Sequence, residues 1–530
     1  MLNRRDFVAL TAPAILSAAG ELKPLLDAEQ FRHHVDFFNS MVPEDPVTTI
    51  PNAHAWEWML VNIPFFSCPD TATEQIYYYR WWTYRKAIEA TPVGYIITEF
   101  LKKVSHAGEY NALSCALGHH VAEGRWLRDR TYIDDDIHYW LRSGGVANVP
   151  GGLAKNLHQF TGWVAWAVTD LLDVRGDNAA AIAYLDALQA DYTQWEQERL
   201  TPSGLFWQRD VSDGMEESAS GGRKVKNIRP SINSCMYGNA AAIARIAELA
   251  AKPDVAAGFR AKAGMLRQLV QQKLWNPEAR FFETLDEGGQ FAPVREAIGY
   301  TPWYFQLPEK GKGYEDAWKQ LMDPQGFYAP YGPTTTERRS PLYKLDYQGD
   351  DCKWNGPAWP FATTITLRGL ANVLNAYPQN AISRADYAKT LSIYTHAQRL
   401  KLDDGRVIPW IDENQNPETG EWIARAMKIR KGTFYGRGDH YNHSAYCDLI
   451  ITGLAGLRPG AGDTFDVNPL ADAAWDWFCL DNVPYHGRAV SIVWDRNGRK
   501  FGKGSGLAVY VNGLQAARRN TIGRLTVRLT

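Results

Sequence analysis

Two short stretches carry the residues best suited to acid–base chemistry. IDENQNPETGEW, residues 411–422, sets Asp412, Glu413, Glu418 and Glu421 around Asn-Pro and Thr-Gly turn signals. RDVSDGMEESASG, residues 209–221, sets Glu216 and Glu217 after a Gly-Met turn, close behind Trp207 in the aromatic run GLFWQ. Its glycines and serines argue against a stable helix. A carboxyl group walled by aromatics has its charged form desolvated, holds a proton near neutral pH and can act as a general acid. An ionised carboxylate fixed on a corner can act as the matching general base. The competing reading is a pair of solvated loops, since Glu is seldom buried.

Two further clusters weigh against that reading. YYYRWWTYRKAI offers Arg80, Trp81, Trp82, Tyr84 and Arg85, flat apolar faces beside forked donors that could grip a polyhydroxylated ligand. The same spacing also suits a core helix. LGHHVAEGRWLRD places His119, His120 and Trp126 near Arg125, Arg128 and Asp129. Adjacent residues on a helix point apart, so the His pair suits hydrogen bonding to a substrate hydroxyl better than metal binding. CKWNGPAWPF sets Trp354, Asn355 and Trp359 around a Gly-Pro corner. GRGDHYNHSAYCDL supplies Asp439, a second candidate base, beside His440. Its alternative role is charge complementarity before a helix.

These segments resemble three motifs of the family 63 and mannosylglycerate-hydrolase-like glycoside hydrolases. DGMEES, 213–218, resembles their Gly-Met-Asp-Asn-Ser segment, which carries the general acid. WNGPAW, 354–359, resembles their Trp-Arg-Gly-Pro-Xaa-Trp segment, with Asn355 where Arg is usual. ENQNPETGE, 413–421, resembles their Glu-Xaa-Tyr-Asn-Pro-Xaa-Thr-Gly-Glu segment, which carries the general base. All three stand in family order. The resemblance implies an (α/α)6 barrel, cleavage of glycosidic bonds with inversion, Glu216 as acid in place of Asp, and Glu413 as base. The longer acid and the missing arginine put the family's usual glucose or mannose specificity in question.

The elements that must position these residues read as helices over roughly residues 71–470. Apolar residues recur at three- and four-residue spacing in EQIYYYRWWTYRKAIEA, GWVAWAVTDLLDVRG, NAAAIAYLDALQADYTQWEQERL, SCMYGNAAAIARIAELAA, VAAGFRAKAGMLRQLVQQKLW, WPFATTITLRGLANVLNA, SRADYAKTLSIYTHAQRL and SAYCDLIITGLAGL. Strong helices alternating with Gly-, Pro- and aromatic-rich loops describe a helical toroid with functional loops at one end. Residues 21–70 read as irregular, with Pro43, Pro46, Pro51, Pro64 and Pro69 as breakers. From about 471 apolar and polar residues alternate around Asn497-Gly498 and Asn512-Gly513, which predicts a small antiparallel β module.

The whole chain sets the outer limits. With 530 residues and a formal net charge of -2, it is large enough for one big domain plus an appendage and lacks the basic excess of a nucleic-acid or anionic-membrane binder. Twenty Trp and 26 Tyr exceed what core packing needs, and such rings suit the CH faces of sugars. Residues 1–20, with Arg4-Arg5 before an apolar run and small residues, read as a twin-arginine export leader and hence a periplasmic or secreted protein. Six scattered cysteines without CxxC or CxxH spacing argue against zinc and for buried free thiols. No cofactor is expected. Rival readings are a polysaccharide lyase using His119, His120, Tyr84 and Arg80 on a uronate, and a non-catalytic sugar-binding protein. A repeat scaffold would need a fixed repeat period, which the chain lacks.

Overall fold

The computed structural model describes residues 24–142, 152–433, 436–460 and 462–529. The export-leader reading lies outside these residues.

Helices dominate, and several begin where the sequence supplies a start signal, a capping side chain or a proline in the first turn. Two short helices, α1 (Arg32–Met41) and α2 (Ala55–Asn62), precede strand β1 (Phe65–Ser67). The segment that its prolines mark as irregular is therefore partly helical. The prolines lie between these elements and not within them, so they punctuate the chain without breaking a helix.

Helix α3 (Thr71–Lys86) is capped by Asp70, whose side chain accepts from the Ala72 N–H at 3.2 Å and from the Thr73 hydroxyl at 2.6 Å. Its aromatics at 77, 78, 79, 81, 82 and 84 point in every direction around the axis, and all are buried. A helix apolar on all sides must lie inside the protein.

The hairpin β2 (Ile88–Thr91) and β3 (Gly94–Ile97) follows. Then come α4 (Leu117–Gly124), α5 (Thr131–Arg142), α6 (Val164–Arg175), α7 (Asn178–Ile182) and α8 (Leu185–Arg199). Helices α9 (Pro230–Leu249) and α10 (Pro253–Leu269) both open on a proline, which is pre-set for the first turn. Beyond them lie β4 (Trp275–Asn276), β5 (Phe281–Phe282), α11 (Thr301–Tyr304), α12 (Pro360–Ala376) and α13 (Arg384–Ala397). The hairpin β6 (Arg399–Lys401) and β7 (Val407–Pro409) leads to α14 (Ile423–Arg430) and α15 (Tyr446–Asp448), which continues as a π-helical turn over Leu449–Leu454.

Packing contacts close on themselves: α3 meets α13, α13 meets α12, α12 meets α11, α11 meets α9, α9 meets α6, α6 meets α4, and α15 joins α4 back to α3. A buried polar belt ties several of these helices together. Asp448 accepts from Arg125 at 2.7 Å and from the Trp126 indole at 2.8 Å, while Arg368 pairs with Asp170 at 2.5 Å. The Glu123 carboxylate accepts from the Cys447 and Asp448 N–H groups, and burial pushes its carboxyl up to about 7. Trp126, offered by the sequence as a sugar contact, belongs to this belt.

The last part of the chain is the expected β structure, with two differences. Strands β8 (Leu457–Arg458) and β9 (Thr464–Val467) start it earlier and pair into a three-stranded sheet with β14 (Leu525–Arg528). The larger sheet runs β1, β10 (Trp477–Tyr485), β11 (Arg488–Asp495), β12 (Gly506–Val511), β13 (Leu514–Arg519), all antiparallel. Its first strand thus comes from the far N-terminal segment, with Phe65 opposite Asp481. Asn512 and Gly513, both at positive φ, form the two-residue turn between β12 and β13. Gly498 turns the chain between β11 and β12.

Candidate active site

The four carboxylates of residues 411–422 divide sharply. Glu418 and Glu421 are exposed, whereas Asp412 and Glu413 are each 2% exposed. The reason is local geometry. Gln415 bridges Ala358 on one side and Trp422 on the other, and Asn416 closes the intervening turn. Its side-chain oxygen accepts from the Glu418 N–H at 2.9 Å, and its carbonyl accepts from the Gly420 N–H at 2.9 Å. Gly420 sits at φ 78°, and a Cβ there would lie 2.5 Å from the Tyr331 ring. The turn tip is therefore solvated while its base, at 412–415, is held inside.

Among the described residues, the polar contacts of the Glu413 side chain converge on Oε1. Arg437 donates to it through Nε at 2.9 Å and a terminal nitrogen at 2.6 Å, and Lys428 lies 3.5 Å away. Asp351 pairs with Lys428 and lies 3.7 Å from Arg437. Asp412 accepts from the Glu413 N–H at 2.8 Å, and burial, then the charges of Asp439 and Glu413, push its carboxyl up to about 7. Asp439 is paired with Arg425, and burial holds its carboxyl above the usual range. The helix expected just after it does not begin until Tyr446, because residues 436–445 form turns and extended chain.

Glu216 sits on a different kind of support. The preceding Asp213 is fully buried between Arg229 at 2.6 Å, the Thr161 hydroxyl at 2.7 Å and the Ser231 hydroxyl at 2.5 Å, which anchors the loop. Glu216 itself is half-buried, while Glu217, at φ 58°, turns outward and is exposed. The Cys352 thiol donates to Glu216 Oε2 at 2.9 Å, and the Trp354 N–H donates to the Glu216 carbonyl at 3.0 Å. Burial pushes the Glu216 carboxyl upward, and the Cys352 hydrogen bond pulls it part of the way back.

Consecutive residues thus join the two carboxylates. Asp351 pairs with the cations around Glu413 and accepts from the Asn414 side chain at 2.8 Å through its carbonyl, and Cys352 bonds Glu216. The third motif continues from there. Trp354 and Trp359 stack with centroids 4.4 Å apart, and a Cβ at Gly356 would fall 2.3 Å from the Lys344 carbonyl. Beyond these rings, His443 packs on Trp359 and Tyr441, and His119 packs edge-on against Phe361 and Trp163. Within this cluster both ring nitrogens of His119 and of His443, the Trp354 and Trp163 indole nitrogens and the Asn355 side-chain oxygen are buried without a hydrogen-bond partner among the described residues. Such atoms are costly to bury, and several of this chain's unpartnered side-chain atoms gather in this one cluster. Burial holds both imidazoles well below the usual histidine range, so they are neutral.

Sequence reading missed Glu99, Cys352, Asp351 and His443 as members of this site, and it gave Asp412 no role apart from its neighbours on the turn. Glu99 is buried, accepts from the Tyr441 hydroxyl and from the Cys115 thiol at 2.8 Å, and is pushed up to about 7 by burial and then by the charges of Glu413 and Glu216. The only sequence signal for it was a carboxylate in an apolar run, IITEFL. A groove of about 650 Å³ lined by His106, Tyr110, Tyr139, Asn156 and Gln159 lies alongside, with His106 within reach of the Arg437 and Glu413 charges.

Other residues that the sequence offered as sugar contacts are engaged inside the protein. Arg80 donates to Tyr394, Gln398 and Ser444, and Trp82 donates to Asn39 at 2.8 Å while its ring lies against His440. Trp81 is fully buried, and the Tyr84 hydroxyl donates to the His120 carbonyl at 2.9 Å. The His120 ring bonds the Asn442 carbonyl at 2.7 Å, and His440 bonds the Tyr79 hydroxyl at 2.9 Å. Trp207 is half-buried, with Arg199 and Lys226 over its ring at 4.4 and 4.7 Å. Among the described residues no cluster of His, Cys, Asp and Glu could hold a metal ion.

Residues 109–444 match the family described as mannosylglycerate hydrolase MGH1-like glycoside hydrolase domain. The chain belongs to this family. Among solved structures, a protein titled "Sialidase" is 45% identical with a TM-score of 0.88 over 95% of this chain. The match takes in only 45% of that protein, so this chain spans less than half its length. A GH63 mannosylglycerate hydrolase from Thermus thermophilus aligns over 71% of this chain and 99% of its own, at 14% identity and a TM-score of 0.51. An α-L-rhamnosidase from Streptomyces avermitilis aligns over 88% of this chain and 41% of its own, at 12% identity and a TM-score of 0.55. The last two likenesses are of fold.

Proposed function

We propose that the chain is an inverting glycoside hydrolase in which Glu216 is the general acid and Glu413 the general base. The observation that carries this reading is the Asp351–Cys352 pair, which ties both carboxylates to one segment beside the stacked Trp354 and Trp359 rings. Breaking a glycosidic bond needs a proton on the leaving oxygen and a water activated on the opposite face. Burial favours the protonated form of Glu216, which suits a donor. With Arg437 and Lys428 gathered at Glu413 Oε1, the second oxygen is the one left to accept a proton from water. His119, His443, Trp354 and Asn355 are placed to meet the hydroxyls and ring face of the sugar. The adjoining groove gives room for the rest of an oligosaccharide. Asp439, tied to Arg425, is the second candidate for the base.

The closed succession of helix contacts supports an (α/α)6 arrangement as the frame for this site. Export through the Arg4-Arg5 leader completes the proposal. The family supports a sugar substrate, and the name of the longer relative is no guide to which one, because most of that protein lies outside the match.

The test is a screen of the purified protein against α- and β-linked disaccharides and aryl glycosides, with proton NMR of the first product before mutarotation. Inverted configuration is expected. Retention would require a nucleophile roughly 5–5.5 Å from the acid instead of a pair roughly 6.5–9.5 Å apart, and would overturn the assignment. An unsaturated, UV-absorbing product would point to a lyase.

A further inference from the structure

Glu216 is gripped at two points by one neighbouring segment. Its carbonyl accepts from the Trp354 N–H at 3.0 Å and its Oε2 from the Cys352 thiol at 2.9 Å, just where the chain leaves through the left-handed residue Glu217. Of the six cysteines, all free, Cys352 is the one not fully buried. We propose that Cys352 is a positioning residue: its thiol fixes the orientation of the Glu216 carboxyl and assigns the transferable proton to Oε1. This rests on the reading of Glu216 as the acid.

A thiol suits the task. S–H is a weak donor, so it fixes direction while leaving the carboxyl acidity less altered than a backbone N–H or a guanidinium would. The thiol also has to stay protonated, and its surroundings enforce this. Burial, then the charges of Glu216 and Glu413, hold Cys352 well above the ordinary thiol range. The other groups facing the pair are Arg223, which is ion-paired to Asp350, and the hydrogen-bonded pair Glu99 and Cys115. Among the described residues, no cation bonds either Glu216 oxygen directly. The carboxyl's other hydrogen bond comes from the backbone of Glu216 itself, so the Cys352 thiol is the contact from a neighbouring segment that fixes its orientation.

The linkage runs both ways and can be read without a sugar. Methyl methanethiosulfonate reacts with a thiolate: a new S–S bond forms, methanesulfinate leaves, and the thiol proton goes to solvent. Glu216→Gln removes the largest charge opposing thiolate formation, so the intact protein should be modified at Cys352 about tenfold faster, as for one unit in thiol acidity. Mass spectrometry follows the reaction, and Cys352→Ser identifies the site by losing it. An unchanged rate in Glu216→Gln overturns the proposal.

The second readout is the pH profile of aryl glycoside hydrolysis. Cys352→Ala removes a hydrogen bond that favours the ionised acid, so the proton is held to higher pH and the alkaline limb moves upward. Substrates with poor leaving groups should slow about tenfold more than activated ones. Cys352→Ser, which keeps a donor, should restore both, and a melting curve of each variant separates misfolding from mispositioning. An unmoved limb in Cys352→Ala overturns the positioning role. Failure of the acid reading looks different: Glu216→Gln would then cleave poor leaving groups at the wild-type rate, while its faster thiol modification would still report the hydrogen bond.

Discussion

Helix α3 and the loops around Glu413 contain the same ingredients, tryptophan, tyrosine, arginine and hydrogen-bonding partners, yet put them to opposite uses. On α3 most polar side-chain atoms have found a partner within the protein, the exceptions being Trp81 Nε1 and the Nε atoms of Arg80 and Arg85. Arg80 alone donates to three residues, and Trp82 and Tyr84 each have one. Around Glu413 and Trp354 the aromatic rings are equally buried, but polar atoms on His119, His443, Trp354 and Asn355 stand without partners among the described residues. Aromatic richness identifies neither a core nor a site. The distinction is one of degree: more of the polar ring edges are left unsatisfied around Trp354 than on α3.

The largest expected effect comes from removing the base. Glu413→Gln should lower turnover by about 10²–10⁴-fold, the usual worth of a general base, while the protein still melts in one cooperative transition. Steady-state kinetics on a substrate found by the screen, together with a thermal melt, check this. A wild-type rate would move the base to Asp439.

Trp82→Ala should show the reverse profile. Its ring is 1% exposed, and truncating a buried tryptophan costs about 3–5 kcal/mol, so urea denaturation should reveal a marked loss of stability with KM little changed in the protein that remains folded. A raised KM with unchanged stability would return α3 to the sugar site.

The smallest effect is a pH dependence. Glu99 is pushed up to about 7 from an ordinary value near 4.5, so between these values the folded state holds a proton that the unfolded state has released. Its contribution to stability therefore falls as pH rises through that window. Glu99→Gln, neutral at every pH, should gain stability relative to wild type on going from pH 5 to pH 8. Urea midpoints at the two pH values check the sign, and a parallel response of both proteins would place the raised group elsewhere.

The sequence made the helices legible because three- and four-residue periodicity is a local property, and SRADYAKTLSIYTHAQRL even carries its own capping box at Ser383 and Asp386. The three site motifs were legible for the same reason: each is contiguous, with its turn residues in place. What sequence reading missed depends on distant partners. Nothing near Cys352 announces Glu216, 136 positions away, and Glu99 meets Tyr441 across 342 positions. The reading of α3 as a sugar contact failed to separate from a core reading because periodicity reports where side chains point along a helix and is silent on what packs there. Similarly, the prolines at 43–69 mark the boundaries of α1, α2 and β1, and a boundary signal alone does not tell an ordered segment from an irregular one.

The strand β1 has a consequence for how this chain comes to be finished. Its partner β10 lies more than four hundred residues downstream, and the backbone N–H groups of Leu25 and Leu26 donate to Asp481 on that same strand. A chain emerging from the ribosome holds Phe65 and Phe66 early but has nothing to pair them with until β10 is made. Closing such a loop is slow, and an unpaired apolar edge invites wrong partners in the meantime. Cutting the helical part out at residue 470 would make that waiting state permanent, and such a fragment should aggregate where the full chain remains monodisperse.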